Sequence, residues 1–137
     1  GAWKTEPWLR STVATGFKVQ DQLGNMINPG APGFVYTFHA KEGQKDRRPL
    51  IAVAGDCAES AYLFRPNKDD PSLKDPCTSY KLMVEIKCEA TVGSIAIGYD
   101  NFLSVDQESG YAKVYIPCFE KDKILVFALG SGDGGYE

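Results

Sequence analysis

The stretch that decides the fold is Gly93–Tyr115, with the sequence GSIAIGYDNFLSVDQESGYAKVY. Apolar residues recur at every second position near both of its ends, and this alternation is typical of half-buried β-strands. The alternating positions are Ile95, Ile97 and Tyr99 before the centre, and Ala112, Val114 and Ile116 after it. Side-chain oxygens crowd the centre, at Asp100, Asn101, Ser104, Asp106, Gln107, Glu108 and Ser109. We therefore predict a strand, an oxygen-rich loop and a second strand, and the loop is where the sequence suggests chemistry.

Outward from this hairpin, further short apolar runs predict additional strands. These runs are residues 11–20, 34–38, 49–54, 59–64, 79–88 and 121–129. Apolar and polar residues alternate most clearly in the run 79–88, with Leu82, Val84 and Ile86 on its predicted buried face. This is the pattern of an antiparallel sheet that has one solvent-exposed face. In the run 121–129 the residues that would point to either face of a strand are apolar, which predicts a central strand.

Turn signals separate the runs, and no segment shows the 3.6-residue period of an amphipathic helix. Pro, Gly and Asp are concentrated at 21–33 and 65–78. About eight short strands with such turns predict an all-β fold, an antiparallel β-sandwich of jelly-roll-like type. At 137 residues the chain has the length of one domain. We place that domain at 1–129, followed by a flexible Gly-rich tail or linker at 130–137.

Charge and motifs exclude several classes of function. The net charge is −3 and the 15 Lys and Arg residues are scattered, so the basic stripe of a nucleic-acid-binding protein is missing. No apolar run approaches the roughly 18 residues of a membrane span. The motifs GxSxG, GxxxxGKS/T and HExxH are absent, and the single histidine, His39, has no nucleophile motif beside it. We therefore expect no catalytic activity.

The four cysteines leave two interpretations open. They do not occur in CxxC spacing and the chain has one histidine, which disfavours a structural zinc site. In the first interpretation the protein is secreted or on the cell surface and has two disulfides. Cys57 and Cys77 bracket the Pro-rich loop and could form one disulfide. Cys88 and Cys118 lie at the ends of two predicted strands, at positions that face inward, and could form the other across adjacent strands. In the second interpretation all four are buried thiols that pack as small apolar side chains.

The oxygen-rich loop predicts a calcium site. Calcium takes about six to eight oxygen ligands from carboxylates, amides and backbone carbonyls. The loop offers carboxylates and amides between two strands that would hold it, and its spacing differs from that of an EF-hand. The alternative is a solvent-exposed loop that is acidic only because surface loops are polar.

Several short pieces of the chain carry a family resemblance. They are Ala2–Lys4 with Glu6, Asn28–Gly30, Leu50–Ile51 followed by Asp56 and Cys57, Gly93–Asn101, and Ser109–Tyr111. In these pieces, spread over 2–116, the chain resembles the bacterial PA-I-type galactophilic lectins, which are small calcium-dependent β-sandwich proteins. In that family the matching loop binds calcium, and hydroxyls of the sugar complete the metal's shell. The resemblance implies a metal held by Asp100 or Asn101, together with Ser104, Gln107 and Glu108.

A set of candidate sugar contacts accompanies this predicted metal site. These candidates are Asp106, Phe102, Tyr111, His39, Asp46 and Arg48. Aromatic rings stack on the apolar face of a sugar, for which Phe102, Tyr99 and Tyr111 are candidates, and core packing is the alternative for the two tyrosines. The region 44–48 does not keep the His and Gln of the family's second sugar-contacting loop, so the identity of the sugar is not predicted.

These expectations describe a lectin-like, calcium-dependent carbohydrate-binding domain with a glycan as its partner. Because single sites of this kind bind weakly, we expect a homo-oligomer or neighbouring domains in a larger chain to add avidity. One alternative is a non-catalytic protein-binding or adhesion module of a larger secreted or surface protein. Another is an accessory domain of a carbohydrate-active enzyme.

Overall fold

The structure, a computed structural model, describes residues 4–5, 10–19, 32–44, 48–67, 79–99 and 110–130. These residues contain seven β-strands and a 3₁₀ turn, and no α-helix. The strands are β1 Val35–Phe38, β2 Leu50–Ala54, β3 Ser60–Pro66, β4 Tyr80–Lys87, β5 Ala96–Gly98, β6 Lys113–Cys118 and β7 Lys123–Ala128, with the 3₁₀ turn at Phe119–Lys121. They form two antiparallel sheets, ordered β1-β2-β3-β4 and β5-β6-β7. The prediction of an all-β, sandwich-like fold is confirmed.

The inward faces of the two sheets share one apolar core. Val114 and Ile116 of β6 are fully buried, and Leu50 and Leu63 face them from the larger sheet. Burial of an apolar side chain of this size contributes about 1.5–3 kcal/mol, so this cluster is the main source of stability. The alternation predicted for the strand after the oxygen-rich loop is thus confirmed.

The strands run between two rims of the molecule. The loop rim comprises residues 38–44, 48–50, 66–67, 79–80, 98–99, 110–113 and 128–130, and the turn rim comprises 54–60, 87–92 and 118–123. Short connections close the turn rim, where the Phe119 N–H donates to the Thr91 carbonyl (3.2 Å) and ties the two sheets together. The chain segments 45–47, 68–78 and 100–109, which lie outside the described residues, all connect strand ends at the loop rim.

The described part of the N-terminal region, residues 10–19, does not form the strand predicted at 11–20. Gly16 has a φ of +82°, which interrupts an extended strand because only glycine adopts this region without strain. Phe17 instead packs edge-on against Tyr62 and Phe64, with ring centroids 5.0 and 6.2 Å apart. These rings lie on the face of β3 that points away from the core.

The alternation predicted for β4 is only half correct. Ile86 is buried as predicted, but Leu82 and Val84 are 52% and 37% exposed, and Met83 packs against the core instead. The register explains the positions of Leu82 and Met83, because Leu82 pairs with Phe64 and Val84 pairs with Leu63, which leaves Met83 as an extra residue. Such a bulge reverses the faces of the residues beyond it. Val84 shares the inward face of Leu63, and it is partly exposed because β4 is at the end of its sheet.

The prediction of a central strand at 121–129 is wrong. β7 lies at the end of its sheet, and among the described residues it pairs with β6 alone. Ile124 and Val126 are 65% and 47% exposed. Both faces of β7 carry apolar side chains. Leu125 packs against the core, and Ile124 and Val126 occupy the outer face.

Among the described cysteines, Cys88 and Cys118 are free thiols, and Cys77 lies outside the described residues. Cys88 follows β4 and Cys118 ends β6, so they belong to different sheets and not to adjacent strands as predicted. Both are 2% exposed and share the core. Burial, and then the neighbouring Cys118 thiol, raise the pKa of Cys88 from 9.0 to about 11.

We predict that this buried thiol makes stability fall at alkaline pH. In the unfolded chain Cys88 loses its proton near its ordinary pKa of 9.0, whereas in the native state it does so near 11. The stabilisation is therefore fully present below pH 9 and is lost as the pH rises toward 11, because the unfolded state releases its proton first. Urea unfolding measured across this range should show a steeper decline for the wild type than for Cys88→Ala. Parallel declines of the two proteins would contradict the prediction.

Candidate functional site

Two polar segments meet at the loop rim. After β1 ends at Phe38, the chain turns outward through His39–Gln44, where Gly43 has a φ of +83° and the Gln44 N–H donates to the Lys41 carbonyl (3.3 Å). After β5 ends at Gly98, the chain passes Tyr99 and enters the oxygen-rich stretch. The two segments are far apart in sequence, and the antiparallel sheets place their ends side by side.

The side chain of Tyr99 joins the two segments. Its hydroxyl donates to the His39 carbonyl (2.7 Å), and the same oxygen accepts the His39 N–H (3.1 Å). The Tyr99 ring is half-buried and packs against the core. Tyr99 therefore fixes the first end of the oxygen-rich loop, which is the core-packing role that we considered for it.

A short antiparallel ladder fixes the second end of the loop. Lys41 and Tyr111 form a β-bridge, the Ala112 N–H donates to the Ala40 carbonyl (2.9 Å), and the Glu42 N–H donates to the Gly110 carbonyl (2.7 Å). Because Tyr99 and Gly110 flank residues 100–109, both ends of the predicted calcium loop are bonded to the segment 39–42.

Tyr111 also packs against the core, so its ring is largely a structural element of the rim. The Lys41 Nζ atom lies 5.2 Å from the centroid of the ring, within the range of a cation–π interaction. A sugar that stacked on Tyr111 would share this ring with the Lys41 ammonium group. The structure thus brings the candidates His39 and Tyr111 together at one place.

Arg48 is at the same rim but is held by the start of β4. Its guanidinium donates to the Ser79 carbonyl (3.1 Å) and lies 4.9 Å from the centroid of the Tyr80 ring. The Tyr80 hydroxyl in turn donates to the Pro49 carbonyl (3.2 Å). These contacts give Arg48 a role in joining β2 to β4.

The remaining predicted site residues lie outside the described residues. They are Asp100, Asn101, Phe102, Ser104, Asp106, Gln107 and Glu108 of the oxygen-rich loop, and Asp46 of the segment 45–47. In the part of the chain that the structure describes, no group of three or more His, Cys, Asp or Glu side chains is placed to hold a metal ion. The calcium site therefore stays a prediction about residues 100–109.

The sequence did not point to Lys41 and Glu42, which the structure places beside the second end of the oxygen-rich loop. Both side chains are exposed, and their backbone is bonded to residues 110 and 111. They add an ammonium group and a carboxylate to the polar groups at the rim. Only the strand order could have revealed them, because nothing in the spacing of the sequence links residue 42 to residue 110.

Within the described residues, no helix has the length and apolar character needed to cross a membrane. No protein-family model, curated protein or solved structure matches the chain.

Proposed function

We propose that this domain binds carbohydrate in a calcium-dependent manner at the loop rim. The observation that carries the proposal is the hydrogen bonding of both ends of the oxygen-rich loop, at Tyr99 and Gly110, to the segment 39–42. A loop fixed at both ends loses less conformational entropy when it binds an ion than a free loop would. Together with the family resemblance of the loop sequence, this anchoring supports a preorganised binding site.

The chemistry of the loop fits a hard cation. Asp100 or Asn101, Gln107 and Glu108 would supply side-chain oxygens, and Ser104 would supply its carbonyl, which is the mixture that calcium prefers. When bound, calcium would offer coordination positions to two neighbouring hydroxyls of a sugar.

Residues around the loop would then select the sugar. Carboxylates form strong, short hydrogen bonds with hydroxyl donors, and Glu42 and Asp106 are the candidates for this role. Phe102 would cover an apolar face of the ring. Secretion or display at the cell surface is part of the proposal, because it would expose the site to glycans and to calcium.

The first experiment is a thermal melt in calcium and in EDTA. Calcium at about one hundred times its dissociation constant stabilises the native state by about 2.7 kcal/mol, which raises the Tm of a domain of this size by roughly 10 °C. The double variant Asp100→Asn, Glu108→Gln should lose this increase. The matched control is Glu59→Gln, Glu89→Gln, which removes two exposed carboxylates at the turn rim and should keep it. An unchanged Tm of the wild type in calcium would remove the metal from the proposal.

The second experiment is binding to a glycan array, with and without calcium. We expect binding to a restricted set of glycans that disappears in EDTA and in the loop variant. A calcium-induced rise in Tm without binding to any glycan would indicate a purely structural ion and would reject carbohydrate binding.

A further inference from the structure

Cys88 and Cys118 meet where the two sheets come together at the turn rim. Cys88 follows β4 of the larger sheet, and Cys118 is the last residue of β6 in the smaller sheet. Both side chains are 2% exposed and belong to the same core cluster. The Cys118 thiol is within hydrogen-bonding reach of the Cys88 thiol. Two free thiols from different sheets are therefore neighbours inside the core.

The backbone beside the two cysteines is bonded from one sheet to the other. The Phe119 N–H donates to the Thr91 carbonyl (3.2 Å). The Glu120 carboxylate accepts the Thr91 N–H (2.8 Å) and also the Thr91 hydroxyl. Because Thr91 and Phe119 closely follow Cys88 and Cys118 in the chain, these bonds keep the ends of β4 and β6 together.

The two thiols lose little when their protons are removed by oxidation. The Cys88 thiol donates to the Ile86 carbonyl at 3.3 Å, and the Cys118 thiol donates to the Ile116 carbonyl at 3.8 Å. A thiol is a weak donor, and a disulfide keeps both sulfurs buried as uncharged, apolar groups. The bond needs the sulfurs about 2 Å apart. From neighbouring thiols this takes a small approach of the side chains and no new arrangement of the sheets.

We propose that Cys88 and Cys118 form a disulfide that joins the two sheets when the chain folds in an oxidising environment. This bond differs from the one expected from the sequence, which joins adjacent strands. The loop that it closes, residues 88–118, contains β5, the oxygen-rich loop and β6. The disulfide thus attaches the hairpin that carries the candidate site to the larger sheet, and it depends on neither calcium nor a sugar.

The oxidant is a small-molecule or protein disulfide, which acts by thiol–disulfide exchange. The thiolate of one cysteine attacks a sulfur of the oxidant, whose S–S bond breaks and releases one thiolate. The thiolate of the second cysteine attacks the resulting mixed disulfide, forms the Cys88–Cys118 bond and releases the second thiolate. Two electrons pass from the protein to the oxidant, which becomes two thiols. The protons of the cysteines pass through the solvent to the released thiolates.

Burial decides when this reaction takes place. In the folded, reduced protein both thiols are almost inaccessible, and the raised pKa of Cys88 leaves little thiolate to attack the oxidant. In the unfolded chain Cys88 is accessible and has its ordinary pKa of 9.0. Oxidation therefore accompanies folding, and burial then protects the finished bond from reductants.

Cys57 is the competing partner at the turn rim. It is half-buried, and the core cluster of the described residues does not include it. Cys118, by contrast, is next to Cys88 in that cluster. The second step of the exchange is intramolecular, so its rate depends on the effective concentration of the attacking thiol. The fold thus favours Cys118 over Cys57.

The test begins with the full chain refolded from urea in EDTA, either in a mixture of reduced and oxidised glutathione or in dithiothreitol. Free thiols are alkylated under denaturing conditions, and mass spectrometry of a proteolytic digest identifies linked peptides. We expect a link between Cys88 and Cys118 after refolding in glutathione. The Tm of this form should exceed that of the reduced form by roughly 10 °C, because the cross-link restricts the unfolded chain.

Two double variants show which pair of cysteines is responsible. Cys57→Ala, Cys77→Ala leaves only the proposed pair and should keep the difference in Tm between the two refolding conditions. Cys88→Ala, Cys118→Ala should lose the part of the difference that the first variant keeps, and circular dichroism must show that it is folded. The alkaline decline in stability expected from the Cys88 thiol belongs to the reduced form and should be absent after oxidation.

Three results overturn the proposal. They are alkylation of both Cys88 and Cys118 in wild type that has folded in glutathione, a bond from either residue to Cys57 or Cys77, and equal Tm values of the two forms of Cys57→Ala, Cys77→Ala. Since every measurement is made in EDTA, these results leave the calcium proposal standing. A failed calcium melt likewise leaves the disulfide standing.

Discussion

Replacement of Leu50 by alanine is expected to lower the free energy of unfolding by about 2–5 kcal/mol. Leu50 is the first residue of β2, is 0% exposed and pairs with Phe38 of β1. Removal of its side-chain atoms loses their transfer free energy and leaves a cavity that the close-packed core cannot fully close. Because Phe38 directly precedes His39, the same change should loosen the start of the segment that anchors the oxygen-rich loop.

The control for this prediction is Leu82→Ala, measured by the same urea unfolding experiment. Leu82 is 52% exposed, so its truncation should cost less than about 1 kcal/mol. The alternation in the sequence places Leu82 on a buried face, and that pattern alone predicts a large loss for both variants. Similar losses for Leu50→Ala and Leu82→Ala would contradict the bulge in β4.

Replacement of Gly55 by alanine is expected to destabilise the protein by about 2 kcal/mol or more. Gly55 begins the turn between β2 and β3, and its N–H donates to the Ser60 carbonyl (2.9 Å). A Cβ atom on Gly55 would lie 2.5 Å from that carbonyl oxygen and 2.7 Å from a ring carbon of Tyr62. The first of these contacts is with backbone, so it is relieved only if the turn opens and its hydrogen bond lengthens.

Gly93→Ala is the matched control for this substitution. Gly93 has no atom within 4 Å of the position of an added Cβ, and its φ is not positive. The same change there should be neutral, or stabilising by about 0.4–1 kcal/mol through the reduced entropy of the unfolded chain. Thermal melts of the two variants compare them directly, and equal Tm values would show that the turn at Gly55 has room for a methyl group.

The strands themselves were predictable because each rests on local information. The period-two alternation at Ala112, Val114 and Ile116 reports burial on one face, and all three residues are buried in the core. The absence of a helical period and the frequent turn residues similarly led to an all-β architecture.

What the sequence could not supply was the pairing of strands. The extra residue at Met83 is defined only by its partner strand, because Val84 pairs with Leu63 and Leu82 with Phe64. In the same way, the apolar sequence of β7 is compatible with a central strand and with an exposed edge. The position of β7 depends on how many strands the second sheet contains, and no local pattern encodes that number.

The candidate site was predictable only in part, because its contacts also depend on which strands lie next to each other. The composition of residues 100–109 pointed to the loop, but the contacts that anchor it come from residues 39–42. Tyr99 and His39 meet only because β1 and β5 end at the same rim. Long-range proximity of this kind is a property of topology, and topology is not visible in the spacing of polar residues.

The division of the molecule into a rim of short turns and a rim of longer connections has a consequence for engineering. Segments 45–47, 68–78 and 100–109 all join strand ends at the loop rim, whereas the core of the described residues is built from the strands and the residues next to them. Since doubling the length of a loop costs only about 0.6 kcal/mol, these segments can be randomised in sequence and length on an unchanged framework. A library built in this way would let new ligand specificities be selected while the turn rim and the two sheets keep the fold.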